Sequence, residues 1–261
     1  MEGLIFKNGS YETSIDKVSL LAKIAPSFIF YSKLLPIVFK ASSNAKRLQY
    51  DNAEWSESSL DVLRALESVG VEIEITGVDY LKNLEGPCVF IGNHMSTLET
   101  FVLPAIIQPL KDVTFVVKKG LVEYPVFKYV MRSRKPITVG RTNPRDDLKA
   151  VMEGGVQRLK AGRSIIIFPQ TTRTTIFDPK AFNTIGIKLA HRANVPVVPI
   201  ALKTDAWGNG KYLKDFGKID PSKKVYFAFG EPLWIKDRGI EEHEKIIEFI
   251  IEKLRQWSIK K

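Results

Sequence analysis

A histidine and a glutamate five residues apart, His94 and Glu99, stand in the stretch Gly92-Asn93-His94-Met95-Ser96-Thr97-Leu98-Glu99. A neutral imidazole is the usual biological base near neutral pH. It works well when a second group fixes its tautomer and stabilises the imidazolium that forms. The pair points to acyl transfer, with His94 taking a proton from a substrate hydroxyl and Glu99 holding the far ring nitrogen. Five residues of a regular helix turn through about 500°, so the two positions cannot share a helix face. The contact requires His94 to precede a helix whose first turns carry Glu99. Amides over 96–100 are then expected to be free for a developing oxyanion. The plainer alternative is a hydrogen-bonded histidine at a strand end, because this spacing also arises by chance.

Further polar groups follow apolar runs. Lys118 follows 113–117, Arg141 follows 137–139, and Gln170-Thr171-Thr172-Arg173 follows 164–168. Continuous apolar runs of this length read as buried strands. Ligands of open α/β sheets bind at the carboxyl ends of parallel strands, so these groups are expected to converge with His94 on one crevice. Guanidinium groups suit bidentate phosphate binding. The expected ligand is a phosphorylated or otherwise anionic small molecule whose hydroxyl faces His94. No Gly-x-Ser-x-Gly elbow, dinucleotide fingerprint or phosphate loop appears in the chain. Direct transfer from an activated donor, with no bound cofactor and no metal, is therefore expected.

The elements that must carry these groups are legible as periodicity. Residues 71–76 alternate, and 88–92, 113–117, 137–139, 164–168, 197–201 and 225–229 are apolar. Helical patterns lie between them: one capped by Ser56 and ending at Gly70, one opening at Pro144 after Asn143, one over 183–192 and one over 240–257. Strands separated by helices imply an α/β sheet covered by helices on both faces. The simplest division is a helical unit over 1–52 and an α/β domain over 53–261.

Lys and Arg number 39 against 29 Asp and Glu, a formal charge of +10. This balance favours polyanions, anionic lipid surfaces or phosphorylated substrates. Between Lys118 and Arg141 seven basic residues face one acid, Glu123; a solvated basic face is the plain reading of such a run. The basic residues are not interleaved with aromatics and no familiar nucleic-acid module is visible, so nucleic acid is not the expected partner. Cys88 is a lone cysteine within an apolar run, which excludes an internal disulfide and favours a packing role. The three histidines show no zinc spacing.

Residues 1–17 lack the order of a secretory signal. Residues 18–40 are rich in Leu, Ile and Phe but are broken by Lys23, Pro26, Lys33 and Pro36. Two charges and two prolines argue against an unbroken membrane span. Either an amphipathic helix or hairpin lies in the membrane interface, or a helical pair packs on the main domain. The two readings are compatible.

Four blocks in order resemble the PlsC-type 1-acylglycerol-3-phosphate acyltransferases, a glycerolipid acyltransferase family, over about 71–229. They are Asn93-His94-Met95-Ser96-Thr97-Leu98-Glu99; Lys118 through Tyr124-Pro125 to Val139-Gly140-Arg141; Phe168-Pro169-Gln170-Thr171-Thr172-Arg173-Thr174, followed by Lys180, Phe182 and Gly186; and Val195-Pro196-Val197-Val198-Pro199-Ile200. The resemblance implies a glycerol-3-phosphate acyltransferase-like sheet with an N-terminal helical membrane-docking unit. It implies transfer of a fatty acyl group from acyl-CoA or acyl-carrier protein to a lysophospholipid hydroxyl. His94 is then the base and Glu99 its partner, while Arg141, Arg173 and Lys118, with Gln170 and Thr172, line the acceptor site. Peripheral or monotopic attachment at the cytoplasmic face of the cell membrane, on anionic lipid, is implied as well. Glu99 stands where the family pattern has Asp, Gln170 where it has Glu, and Thr171 where it has Gly. The last two changes fall in the acceptor block, so a different lysolipid acceptor, or a silent lipid-binding homologue, is the competing expectation.

Overall fold

Alternation along the apolar runs sends successive side chains to opposite faces of one sheet. A computed structural model describes residues 3–14, 18–170, 172–211 and 213–259. Seven strands coincide with the runs: β2 (Ile73–Thr76), β3 (Val89–Gly92), β4 (Val113–Lys118), β5 (Ile137–Val139), β6 (Ser164–Ile167), β7 (Val197–Lys203) and β8 (Val225–Phe229). An eighth, β1 (Tyr11–Glu12), is too short to leave a periodic signal and adds antiparallel to the edge of β2. The sheet order is β1-β2-β8-β7-β3-β6-β4-β5. From β7 through β3, β6 and β4 to β5 all neighbours are parallel, as the convergence argument requires, whereas β8 runs antiparallel to β7.

Helices cover both faces. Phe90, Ile166, Val198 and Ile200 point to a core shared with α3 (Asn52–Glu67) and α5 (Leu98–Ile107). Val89, Ile91, Ile165, Ile167 and Val197 point to the opposite core, under α7 (Pro144–Lys160), α8 (Ile185–Ala193) and α9 (Ile240–Ile259). Helix α8 lies close on β3 because residue 186 is glycine: a Cβ there would stand 2.6 Å from Ile91.

The helix at 144 opens as expected, with the Asn143 side chain accepting from the Arg145 amide. Two other starts differ. Helix α3 is capped by Asp51, whose carboxylate accepts from the Glu54 amide, so Ser56 lies inside the helix. The buried stripe begins at Trp55, one turn before the leucines that mark the helix in the sequence. Helix α8 starts at Ile185, because the Asn183 side chain accepts from the Ile185 amide and so stays outside the helix.

The segment 18–40 forms α1 (Leu20–Ile24) and α2 (Pro26–Lys46), which continues through Pro36. Phe30, Leu34, Ala41 and Ala45 join the core, so the pair packs on the sheet domain. Its other side is apolar and bare: Leu20, Leu21, Ile24 and Phe28 are 69–74% exposed. Among the described residues no helix is long and apolar enough to cross a membrane.

The basic stretch from Lys118 to Arg141 is not one solvated face. Arg134 is buried, stacked near the Tyr50 and Trp55 rings, and donates to the Asn52 side chain and the Tyr50 carbonyl. Cys88 is fully buried, and burial pushes its thiol up to about 12, consistent with packing.

Asn93 extends the β3–β7 ladder beyond its last backbone pair. Its amide nitrogen donates to the Leu202 carbonyl and its oxygen accepts from the Leu202 amide, both at 2.8 Å. Asn93→Ala leaves both Leu202 groups unpaired in a buried setting, and is expected to cost about 2 kcal/mol or more, measured by denaturant unfolding.

Candidate active site

Register brings the polar loops to one level. Ile91 pairs with Ile167, and three residues further along each strand stand His94 and Gln170. Phe115 pairs with Ile166, which sets Lys118 level with Pro169, and Lys118 pairs with Val139. The loops after β3, β6, β4 and β5 therefore leave the sheet together. Strands lie about 4.8 Å apart, so Lys118 starts about 10 Å from the His94 strand and Arg141 about 14 Å.

The His94 loop closes on itself before α5. His94 Nδ1 lies 2.9 Å from Glu99 Oε1. Glu99 is fully buried and also accepts from the amides of Met95 (2.6 Å) and Ser96 (2.9 Å) and from the Thr204 hydroxyl (2.5 Å). Burial pushes the carboxyl up, but the hydrogen bonds from His94, Thr204 and the Ser96 amide outweigh it, and the net shift is downward. Ser96 and Glu99 make half of a capping box: Glu99 reaches back to the Ser96 amide, while Ser96 Oγ accepts from the Leu98 amide rather than from that of Glu99. The pattern Ser-x-x-Glu carries that signal in the sequence.

This closure takes up three of the five amides over 96–100 that the sequence reading expects to be free. The Ser96 amide donates to Glu99, the Leu98 amide to Ser96 Oγ and the Thr100 amide to the Thr97 carbonyl; the Thr97 and Glu99 amides are not among those taken. The same carboxylate that fixes the ring also takes the Met95 and Ser96 amides just before the helix.

Because Glu99 is an ionised acceptor, the His94 proton is assigned to Nδ1, and Nε2 carries the lone pair. The ring stacks on Phe168 with centroids 4.5 Å apart and planes 3° from parallel. Phe168 ends the apolar run of β6, and nothing in the sequence marks it as a partner of His94.

The loop after β6 is bound to the His94 loop at two points. Gln170 is buried, and its Oε1 accepts from the His94 amide at 2.8 Å. The Thr174 amide donates to the His94 carbonyl at 3.0 Å. Between them Arg173 donates from Nη1 to the Thr97 hydroxyl and to Asp215 Oδ1, the latter at 2.8 Å. The structure thus brings together His94, Glu99, Gln170 and Arg173. Lys118, Arg141 and Thr172 are exposed on the rim at the same end of the sheet. Thr171 lies outside the described residues. Arg141 has φ +60°, a left-handed backbone rare for a residue with a Cβ, and the Gly140 and Arg141 amides both donate to the Asp147 carboxylate of α7.

Thr204 and Asp215 escape sequence reasoning because they come from the end of β7 and the loop beyond it, more than 100 residues from Glu99 and Thr97.

The sequence profile described as Acyltransferase matches residues 72–203. A 1-acyl-sn-glycerol-3-phosphate acyltransferase of Pseudomonas aeruginosa is 32% identical over 172 residues, covering 66% of this chain and 62% of that protein. A chloroplastic 1-acyl-sn-glycerol-3-phosphate acyltransferase of Brassica napus is 32% identical over 143 residues, covering 54% and 38%. The chain thus spans less than two thirds of the length of these relatives. The crystal structure of the 1-acyl-sn-glycerophosphate acyltransferase PlsC from Thermotoga maritima matches with a TM-score of 0.64 at 17% identity, over 92% of this chain and 96% of that one, which shows the fold. With half of its length matched, and with the PlsC fold, this chain belongs to the acyltransferase family.

Proposed function

We propose that the chain transfers a fatty acyl group from an acyl thioester, acyl-CoA or acyl-carrier protein, to the free hydroxyl of 1-acylglycerol-3-phosphate in phospholipid synthesis. The observation that carries this reading is the His94–Glu99 pair, with its tautomer fixed at 2.9 Å, next to the Arg173 guanidinium on Thr97. His94 Nε2 removes the proton as the acceptor oxygen attacks the thioester carbonyl, and it returns that proton to the departing thiolate. Arg173 holds the acceptor phosphate, with Arg141 and Lys118 reaching in from the rim.

The Gln170 departure is compatible with this acceptor. Its Oε1 accepts from the His94 amide, a bond that a carboxylate oxygen would make equally well. Its side chain therefore supports the loop, and the phosphate falls to the cations. The bare apolar side of α1 and α2, with Lys23, Lys33 and Lys40 on the same two helices, fits insertion among the headgroups of an anionic membrane. We place that membrane surface at the cytoplasmic side, with residues 1–52 as the docking unit and no cofactor beyond the acyl donor.

His94→Ala should lower kcat by about 100-fold or more with the fold retained by circular dichroism, assayed by mass spectrometry with labelled acyl-CoA and acyl-carrier protein across a panel of lysolipids. Retained turnover would remove His94 from the reaction. A glycerophospholipid headgroup other than phosphate as the preferred acceptor would replace the acceptor assignment.

Glu99 also sets an acid limit. Its folded pKa lies below the ordinary 4.5, so its contribution to stability is present above pH 4.5 and is lost as pH falls through the lowered value. Thermal melts from pH 7 down to pH 3 should show a decline that Glu99→Gln flattens from an already lower Tm.

Replacing Leu20, Leu21, Ile24 and Phe28 together by Ser should weaken flotation with anionic liposomes by about tenfold or more while Tm stays within a few degrees, because these side chains lie outside the core.

A further inference from the structure

The Arg173 guanidinium is gripped from a direction the reaction does not use. Of its five N–H groups, those on Nη1 go to Thr97 Oγ1 and to Asp215 Oδ1 at 2.8 Å. Thr97 Oγ1 also stands 3.3 Å from Asp215 Oδ1, which closes a three-membered cluster. Thr97 belongs to the capping turn that holds Glu99, so the cluster is covalently continuous with the base.

Asp215 is itself held. It lies on the loop between β7 and β8, and its carbonyl accepts from the indole of Trp207 at 3.1 Å. Trp207 is fully buried against Phe30 of α2 and Phe101 of α5. Just after Asp215 the loop is tied twice to α2: the Tyr31 hydroxyl donates to the Gly217 carbonyl at 2.6 Å, and the Ile219 amide donates to Ser27 Oγ at 2.9 Å. Gly217 approaches Gly208 so closely that any Cβ would stand 1.7 Å from the Gly208 oxygen. A loop fastened at these points fixes the carboxylate far better than an ordinary exposed ion pair, whose two long side chains wander.

We propose that Asp215 is a positioning residue for the acceptor. By taking the Nη1 side of Arg173, it turns the Nε–Nη2 edge toward the crevice, where two oxygens of one phosphate can be bound side by side. The same carboxylate leaves the Arg173–Asp215 cluster with little net charge. A monoester phosphate is then selected by its paired oxygens and geometry rather than by charge alone. This inference rests on Arg173 holding the acceptor phosphate.

The test is steady-state kinetics with acyl-CoA and 1-acylglycerol-3-phosphate for the full chain and four variants: Asp215→Asn, Asp215→Glu, Arg173→Ala, and Asp215→Asn combined with Arg173→Ala. Asp215→Asn should raise acceptor KM about tenfold, with kcat and acyl-CoA KM within about twofold. Asp215→Glu should recover most of the loss. In the Arg173→Ala background Asp215→Asn should add nothing, because both changes remove one interaction. An unchanged or lowered acceptor KM in Asp215→Asn, with a normal melting curve, would overturn the proposal and leave the Arg173 assignment standing. An Arg173→Ala variant with wild-type acceptor KM would instead overturn the phosphate assignment and the inference with it.

Discussion

One buried carboxylate organises this end of the molecule. An ionised acid with no exposed surface is costly unless its oxygens are paired. Glu99 meets that demand with the His94 ring, the Met95 and Ser96 amides and the Thr204 hydroxyl. Those donors come from the loop after β3 and the end of β7, and Glu99 itself stands on the first turn of α5. Satisfying one charge therefore fixes three segments relative to each other, and the imidazole is one of the groups so fixed. Structural and chemical roles coincide at Glu99: the helix cap and the orienter of the ring are the same two oxygens.

The sheet then divides the labour at its carboxyl end. Its central strands, β3 and β6, deliver groups that are bonded to each other, the half-buried His94, the buried Gln170 and the backbone of Thr174. The outer strands β4 and β5 deliver exposed cations, Lys118 and Arg141. A half-buried imidazole beside a wet cationic rim would suit the proposed amphiphilic acceptor, whose hydroxyl must lie near the ring while its phosphate stays partly hydrated. Arg173, 18% exposed, is fastened to Thr97 of the turn before α5 and to Asp215 of the loop after β7.

Much of this was legible from residue order. Six of the seven longer strands are apolar runs and β2 alternates; the parallel arrangement of β3 to β7 follows from the helices between them, while β8, with no helix before it among the described residues, runs antiparallel to β7. The His94–Glu99 contact follows from a strand end placed just before a helix. The two-residue β1 was not legible, because an edge strand of that length has no period. The ends of α3 and α8 shifted because Asp51 and Asn183 supply competing side-chain acceptors that apolar periodicity does not see. The use of the Ser96 amide was open to reading, since Ser96-x-x-Glu99 carries the capping-box pattern in which the glutamate reaches back to that amide. Thr204, Asp215 and Phe168 were beyond reach. Each acts across a strand pairing or a long loop, and local spacing holds no trace of such contacts. Arg134 shows the converse: within a basic run it looks like surface charge, yet two aromatic rings and two oxygens draw it inside.

The parallel stack of Phe168 on His94 has an electronic side as well as a steric one. A phenyl face is electron-rich, and a cation set against it within about 6 Å is attracted. The rings here are 4.5 Å apart. In the proposed reaction the imidazole turns positive between deprotonating the alcohol and releasing the thiol. Phe168 would keep water off the resting ring and then offer its quadrupole to the short-lived cation, a compensation that no aliphatic side chain could supply.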